Sequence, residues 1–122
     1  MGRMTSINRG DIWLVSLDPT IGSAIKKTRP AVVVSNDIAN QYSSLITVLP
    51  VTDTGSAVRP FEVAIPLKTG GLVKASKVKC DQVRAVDKGR LVRFLGVLPD
   101  QSVHAIERAL CLHLGLDPSV HQ

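Results

Sequence analysis

Aromatic side chains are scarce in this chain of 122 residues, which has one Trp, one Tyr and two Phe. Proteins that bind single-stranded nucleic acid by stacking bases on a sheet usually carry more of them. The scarcity therefore argues against a base-stacking platform. Trp13 is predicted to belong to the core or to an interface.

Cysteines and long apolar runs are also rare. The two cysteines are Cys80 and Cys111, whereas a secreted domain of this size more often has several paired cysteines. The apolar runs are far shorter than the roughly 20 residues that cross a bilayer. Residues 1–6 lack the apolar stretch of a signal peptide. We therefore expect a cytoplasmic protein with reduced thiols and no membrane segment.

Clusters of metal ligands are missing from the sequence. Its histidines, His104, His113 and His121, do not combine with the cysteines at a zinc-binding spacing. The acidic residues are scattered, whereas two-metal nucleases need clustered carboxylates. Nucleotide-binding and hydrolase motifs rich in glycine are absent as well. We expect no metal and no cofactor.

Basic residues are in excess, with 15 Lys and Arg against 10 Asp and Glu and a net charge of +5. An excess of positive charge attracts polyanions. Nucleic acid is the first partner that this charge suggests and an acidic protein is the second, while a purely solubilising role stays open. The length fits a single domain, residues 1–122.

The apolar pattern predicts many short strands followed by one helix. This order suggests a mainly β fold, a small and strongly bent sheet or barrel. Pro50 predicts a strand end or bulge, which would re-aim Val51 and Thr52. A helical turn is expected at 37–43 and a turn at Gly70 and Gly71. The predicted strands are 11–17, 30–36, 45–49, 61–66, 72–76, 78–85 and 91–97.

The helix is predicted to begin at Pro99 and to be capped by Gly115. Its apolar stripe should pack on the sheet or barrel, because the four members repeat at helical spacing. They are Val103, Ile106, Leu110 and Leu114.

Arg29 lies where a polar, lysine-containing loop enters an apolar strand. Pro30 biases Arg29 toward an extended conformation, so the scaffold should hold this side chain in place. The planar guanidinium matches the geometry of a phosphate group. A surface arginine in a local ion pair is the alternative.

A second polar cluster runs along residues 78–84. If these residues form one strand, Lys79 and Asp81 share one face, and Gln82 and Arg84 share the other. Alternating polar groups of this kind can read nucleotide edges, or they can be a solvated sheet face.

From Arg9 to about Leu116, the chain resembles the MazF/PemK/Kid family of toxins from bacterial toxin–antitoxin pairs. The resemblance depends on several stretches that occur in order and at the family's spacing. These are Arg9–Val15, Leu17–Thr20 with Gly22 and Ser23, Lys27–Asp37, Val48–Thr52, Gly71 and Leu72, Cys80–Arg84, and Asp87–Leu91.

The resemblance implies a compact SH3-like barrel of bent antiparallel strands with a C-terminal α-helix, present as a homodimer. It also implies a metal-independent, sequence-specific endoribonuclease that cuts single-stranded RNA, chiefly mRNA, and is inhibited by a cognate antitoxin, which should be acidic. Arg29 and Thr52 match the family's catalytic residues. The residues expected to bind RNA are Ser23, Lys26, Lys27, Thr28, Lys79, Asp81, Gln82 and Arg84. The loops at 18–28 and 53–60 are where base recognition is expected.

The chain departs from the family at Ala24, where members typically carry Glu, and at Ser23, where some carry His. Ala24 would then mark a lost catalytic acid, through natural divergence or an inactivating substitution, and the general base is unassigned. Two alternatives stay open. One is a toxin of the same fold that inhibits DNA gyrase, and the other is an impaired variant that binds RNA or antitoxin.

Overall fold

The computed structural model describes residues 6–17, 28–54 and 57–117. Within these residues, strands dominate and a long helix follows them, so the predicted mainly β fold with a C-terminal helix is confirmed. The helices are α1 (Asp37–Tyr42) and α2 (Asp100–Leu114). The strands are β1 (Asp11–Ser16), β2 (Thr28–Val33), β3 (Leu45–Asp53), β4 (Glu62–Ile65), β5 (Ser76–Lys79), β6 (Arg84–Asp87) and β7 (Leu91–Val97).

The strands form one antiparallel sheet in the order β4-β5-β3-β2-β1-β7, with β6 also paired to β3. Among the residues described, β4 and β7 each pair with a single strand. The sheet is therefore open, and its two end strands do not close it into a barrel.

Strand β3 continues through Pro50, so the predicted strand end or bulge at this proline is wrong. Pro50 is paired with Ala31 of β2. On its other side, β3 pairs with β6 up to Val48 and with β5 from Val51 onward. Pro50 thus lies where β3 changes partners, and a missing backbone donor is tolerated at such a position.

Apolar side chains cover both faces of the sheet, because alternate residues of each strand point to opposite sides. Ile12, Val32 and Val78 pack with Ile106 and Ala109 of α2 on one face, here called the helix face. The second cluster, on what we call the opposite face, includes Trp13, Val15, Ala31, Val48 and Val86. Trp13 is a core residue, as predicted.

Helix α2 follows Pro99, which occupies the N-cap position rather than the first helical position. Gly115 caps the other end, as predicted, with a left-handed φ of 70°. Val103, Ile106 and Leu110 pack on the sheet, but Leu114 is 54% exposed, so the predicted stripe is one residue too long. No helix in the described part of the chain is long and apolar enough to span a membrane.

Candidate nucleic-acid interface

Arg29, Thr52 and Arg84 project from the opposite face of the sheet. Paired residues on neighbouring antiparallel strands point to the same side. Arg29 is paired with Val15, and Arg84 with Val48, and both valines belong to the core of the opposite face. Thr52 follows Val48 on β3 by an even number of residues and therefore shares its side.

The register of β2 and β3 brings Arg29 level with Thr52. The last paired residues of these strands are Ala31 and Pro50, and the next positions on the same face are Arg29 and Thr52. Sequence reasoning selected these two residues separately. The sheet places them on neighbouring strands at the same height.

Arg29 is the second residue of β2 and is partly buried. Among the described residues, its buried Nε has no hydrogen-bond partner. Buried donors are nearly always satisfied, and an unsatisfied donor beside an open surface is a natural binding point for an anion. Nothing in the described part of the chain shows the local ion pair that was the alternative for this arginine.

Thr52 lies one residue before the end of β3 and is partly buried. Its hydroxyl donates a long hydrogen bond of 3.4 Å to the carbonyl of Asp53. A contact of this length is weak, so the hydroxyl can turn toward a ligand without a large loss. The Cα partner of Thr52 on β5 is Lys77.

Asp81 lies in a turn, so the single strand predicted over residues 78–85 is wrong. Strand β5 ends at Lys79, and the turn begins where the N–H of Gln82 donates to the carbonyl of Lys79 at 3.1 Å. The chain keeps its direction through this turn, because β5 and β6 both pair antiparallel with β3, β5 with its last residues and β6 with its first. Asp81 is partly buried, and its Oδ1 has no hydrogen-bond partner among the described residues.

Arg84 begins β6 and donates to the carbonyl of Leu17 at 3.4 Å. It lines a shallow cavity of about 220 Å³ together with Leu17, Val86 and Arg90. The guanidinium groups of Arg84 and Arg90 outnumber the one carboxylate in the lining, that of Asp87, so this small cavity extends the positive charge of the face that carries Arg29. Thr28, at the start of β2, is exposed.

Glu62 was not singled out by sequence reasoning, yet it is the most connected charged residue near the site. Its side chain is fully buried. One carboxylate oxygen accepts from Lys77 at 3.1 Å, and the other accepts from Lys79 at 2.5 Å. Two ammonium groups around one carboxylate leave a net positive charge beside Thr52. Lys79, expected to bind RNA, is thus already paired inside the protein.

The hydrogen bond from Lys79 is the main cause that lowers the pKa of Glu62 to about 2. The N–H of Arg59 and the ammonium of Lys77 add to this effect, and burial opposes it. A lowered pKa means that the carboxylate stays charged at neutral pH and well below it. The two lysines are therefore held by a permanent negative charge.

Cys80, between Lys79 and Asp81, is fully buried. Burial, together with the negative charges of Asp81 and Glu62, raises the pKa of its thiol to about 12. The thiol therefore stays protonated at physiological pH, which makes it a poor nucleophile. Cys80 is a packing residue beside the site.

Four of the predicted site positions lie outside the described residues. They are Ser23, Ala24, Lys26 and Lys27. Among the described candidates, the sheet brings four to one face: Arg29, Thr52, Lys79 and Arg84. Asp81 and Gln82 lie together in the turn that follows β5.

A family sequence profile described as the PemK-like, MazF-like toxin of type II toxin–antitoxin systems matches residues 8–114. The chain is also 41% identical over 115 residues to a Mycobacterium tuberculosis protein named Endoribonuclease MazF9. That alignment covers 90% of this chain and 98% of the relative.

Solved structures show the same fold. The structure of MazF from Deinococcus radiodurans matches with a TM-score of 0.80 and 25% identity, covering 93% of this chain and 100% of that one. An endoribonuclease from a mycobacterial species, solved in complex with its cognate antitoxin, matches with a TM-score of 0.76 and 23% identity. It covers 91% of this chain and 97% of that one.

Proposed function

The chain belongs to the family of PemK-like, MazF-like toxins of type II toxin–antitoxin systems, and on that premise we propose that it is an endoribonuclease cutting single-stranded RNA, chiefly mRNA. The observation that carries the proposal is the shared face and height of Arg29 and Thr52. An uncommitted guanidinium nitrogen and a nearby hydroxyl are the groups that a scissile phosphate requires.

RNA can be cut without a metal ion because its own 2′-OH can attack the adjacent phosphorus. The bond to the 5′ oxygen then breaks, and the product ends in a 2′,3′-cyclic phosphate. The protein must hold the in-line geometry and stabilise the extra charge on the phosphoryl oxygens. Arg29 donates to those oxygens, and Thr52 orients the phosphate or the 2′-OH through its hydroxyl.

Proton transfer is the part of this reaction that no described residue performs clearly. Arginine stays charged across the accessible pH range, so Arg29 is suited to electrostatic stabilisation more than to proton donation. The family resemblance puts an acid at the position of Ala24. We therefore propose that this chain cuts RNA more slowly than family members that carry the acid at this position.

Incubating the purified chain with a long mixed-sequence RNA in EDTA tests the function. We expect discrete cuts whose 5′ fragments end in cyclic phosphates, because the 2′-OH is the nucleophile. Mapping both ends of each cut measures this. An RNA that shifts in a gel and stays uncut would contradict the enzyme and favour a binding module. Trapped gyrase cleavage complexes would favour the gyrase alternative.

Two partners follow from the proposal. An acidic antitoxin segment would complement the positive charge around Arg29, Arg84 and Arg90, and could inhibit by occupying the RNA site. A second copy of the chain is the other partner. Strand β7 supports it, because one of its sides has no strand partner among the described residues, and Val92 and Val97 are exposed. We place this activity in the cytoplasm, where mRNA is available.

The homodimer can be checked by sedimentation equilibrium at the concentrations used for RNA cleavage. We expect twice the mass of the chain. The mass of a single chain at those concentrations would contradict the dimer without affecting the proposed activity.

A further inference from the structure

We propose that Glu62 is a positioning residue for RNA recognition: it fixes the 57–60 segment against β5, beside Thr52, and so determines which sequences are cut. This inference rests on the proposed endoribonuclease function and deepens it. It concerns selectivity between RNA sequences, whereas Arg29 and Thr52 act on the phosphate that is cut.

The contacts of Glu62 reach three parts of the site. Its Oε1 accepts from the backbone N–H of Arg59 at 3.0 Å, which holds the 57–60 segment directly. The same oxygen pairs with Lys77, whose ammonium also donates to the carbonyl of Ala57 at 3.3 Å. Its Oε2 pairs with Lys79, the last residue of β5 before the turn with Asp81.

The sheet register places this arrangement next to Thr52. Glu62 is paired with Lys79 across β4 and β5, and Thr52 is paired with Lys77 across β3 and β5. Since Lys77 and Lys79 are two residues apart on β5, all four side chains point to one face. The fixed carboxylate therefore joins the 57–60 segment to β5, the strand that pairs with the end of β3.

A purely structural role would not require this chemistry. Buried ion pairs are costly to desolvate, and apolar residues of similar size often stabilise a fold as well or better. Here one fully buried carboxylate accepts hydrogen bonds from two lysines and from the backbone N–H of Arg59. These bonds hold the exposed residues 57–60 in a defined position, as is required of a segment that contacts RNA.

Glu62→Gln is the first test variant. The glutamine oxygen can still accept from Arg59, but the charge that holds the two lysines is lost. We expect cutting at the strongest site, relative to weaker sites in the same RNA, to fall by about tenfold, because small displacements of a recognition element have effects of this size or larger. The ratio is measured within one reaction, so the fraction of folded protein cancels.

Glu107→Gln is the matched control. Glu107 is the other glutamate of the chain and pairs with Arg9, but it lies on α2 and is about 40% exposed. Its variant should keep the wild-type ratio between sites. A folded Glu62→Gln protein with the wild-type pattern of cuts would overturn the inference.

A second variant guards against loss of folding. Lys77→Met removes the bond to the carbonyl of Ala57 and leaves one carboxylate paired with one lysine, Lys79. If urea titration shows that the Glu62→Gln protein is unfolded, the inference is tested with Lys77→Met instead. We expect the same fall in the ratio between sites, and an unchanged ratio would overturn the proposal.

Affinity for an RNA pool with every 2′-OH methylated separates the two hypotheses. Such RNA cannot be cut through 2′-OH attack but still reports binding. A wild-type chain that binds the pool without cutting ordinary RNA would contradict the proposed endoribonuclease function and would leave the role of Glu62 in RNA recognition open to test. The sequences that the wild-type chain enriches from the pool should then be enriched about tenfold less by Glu62→Gln, and the same enrichment would overturn the inference. A wild-type chain that neither cuts nor binds would overturn both.

Discussion

Replacing Arg29 by alanine is expected to slow RNA cleavage by at least about 100-fold. A charged donor that stabilises the transition state contributes to catalysis in this range when the site is preorganised. The scaffold meets this requirement, since Pro30 and the pairing with Val15 hold Arg29 in extended backbone. Initial rates on a defined RNA containing one mapped cut site measure the effect.

Folding of the Arg29→Ala protein should be close to wild type. The Nε of this side chain has no hydrogen-bond partner among the described residues, so truncation removes no hydrogen bond there. Arg108→Ala serves as the control, because Arg108 is exposed on α2, the helix that packs against the helix face. Cleavage by Arg29→Ala at the wild-type rate would contradict its catalytic assignment.

The sequence was sufficient to predict most of the elements, because their local signals were strong, but the strand predicted over 72–76 is wrong: only Ser76 belongs to β5, and the next strand begins at Arg84. Apolar strands separated by polar turns, and a helix that ends at Gly115, can be recognised from a few neighbouring residues of the sequence. Pro50 misled the prediction for a physical reason: a proline reads as a strand end unless one knows that β3 changes partners there. That change depends on pairing with distant parts of the chain.

The candidate site could be predicted where a single residue carried the signal. Arg29 stands out because of Pro30 and the basic loop, and Thr52 was selected through the family resemblance. Glu62 was missed because its importance depends on register. A glutamate in an apolar strand and two lysines that alternate with Val78 are each unremarkable until β4 and β5 are paired.

Ala24→Glu is expected to raise the rate of RNA cleavage by about 100-fold, because general acid–base catalysis commonly contributes at least this much. Arg29 and Thr52, the described groups for phosphate binding, are in place, whereas the group that moves the proton is unassigned among the described residues. Ala24 itself lies outside the described residues, so the expectation follows from the sequence alone. Rates under single-turnover conditions measure the chemical step directly.

Ala24→Gln is the matched control, because glutamine has nearly the shape of glutamate and cannot exchange a proton in the same way. A general-acid role predicts a gain with glutamate that falls away above the pKa of the carboxyl group, a general-base role predicts a gain that falls away below it, and both predict little gain with glutamine. Equal gains from both variants would mean that position 24 contributes binding. An unchanged rate with glutamate would show that Ala24 is no lesion, and that Arg29 and Thr52 work with a base elsewhere.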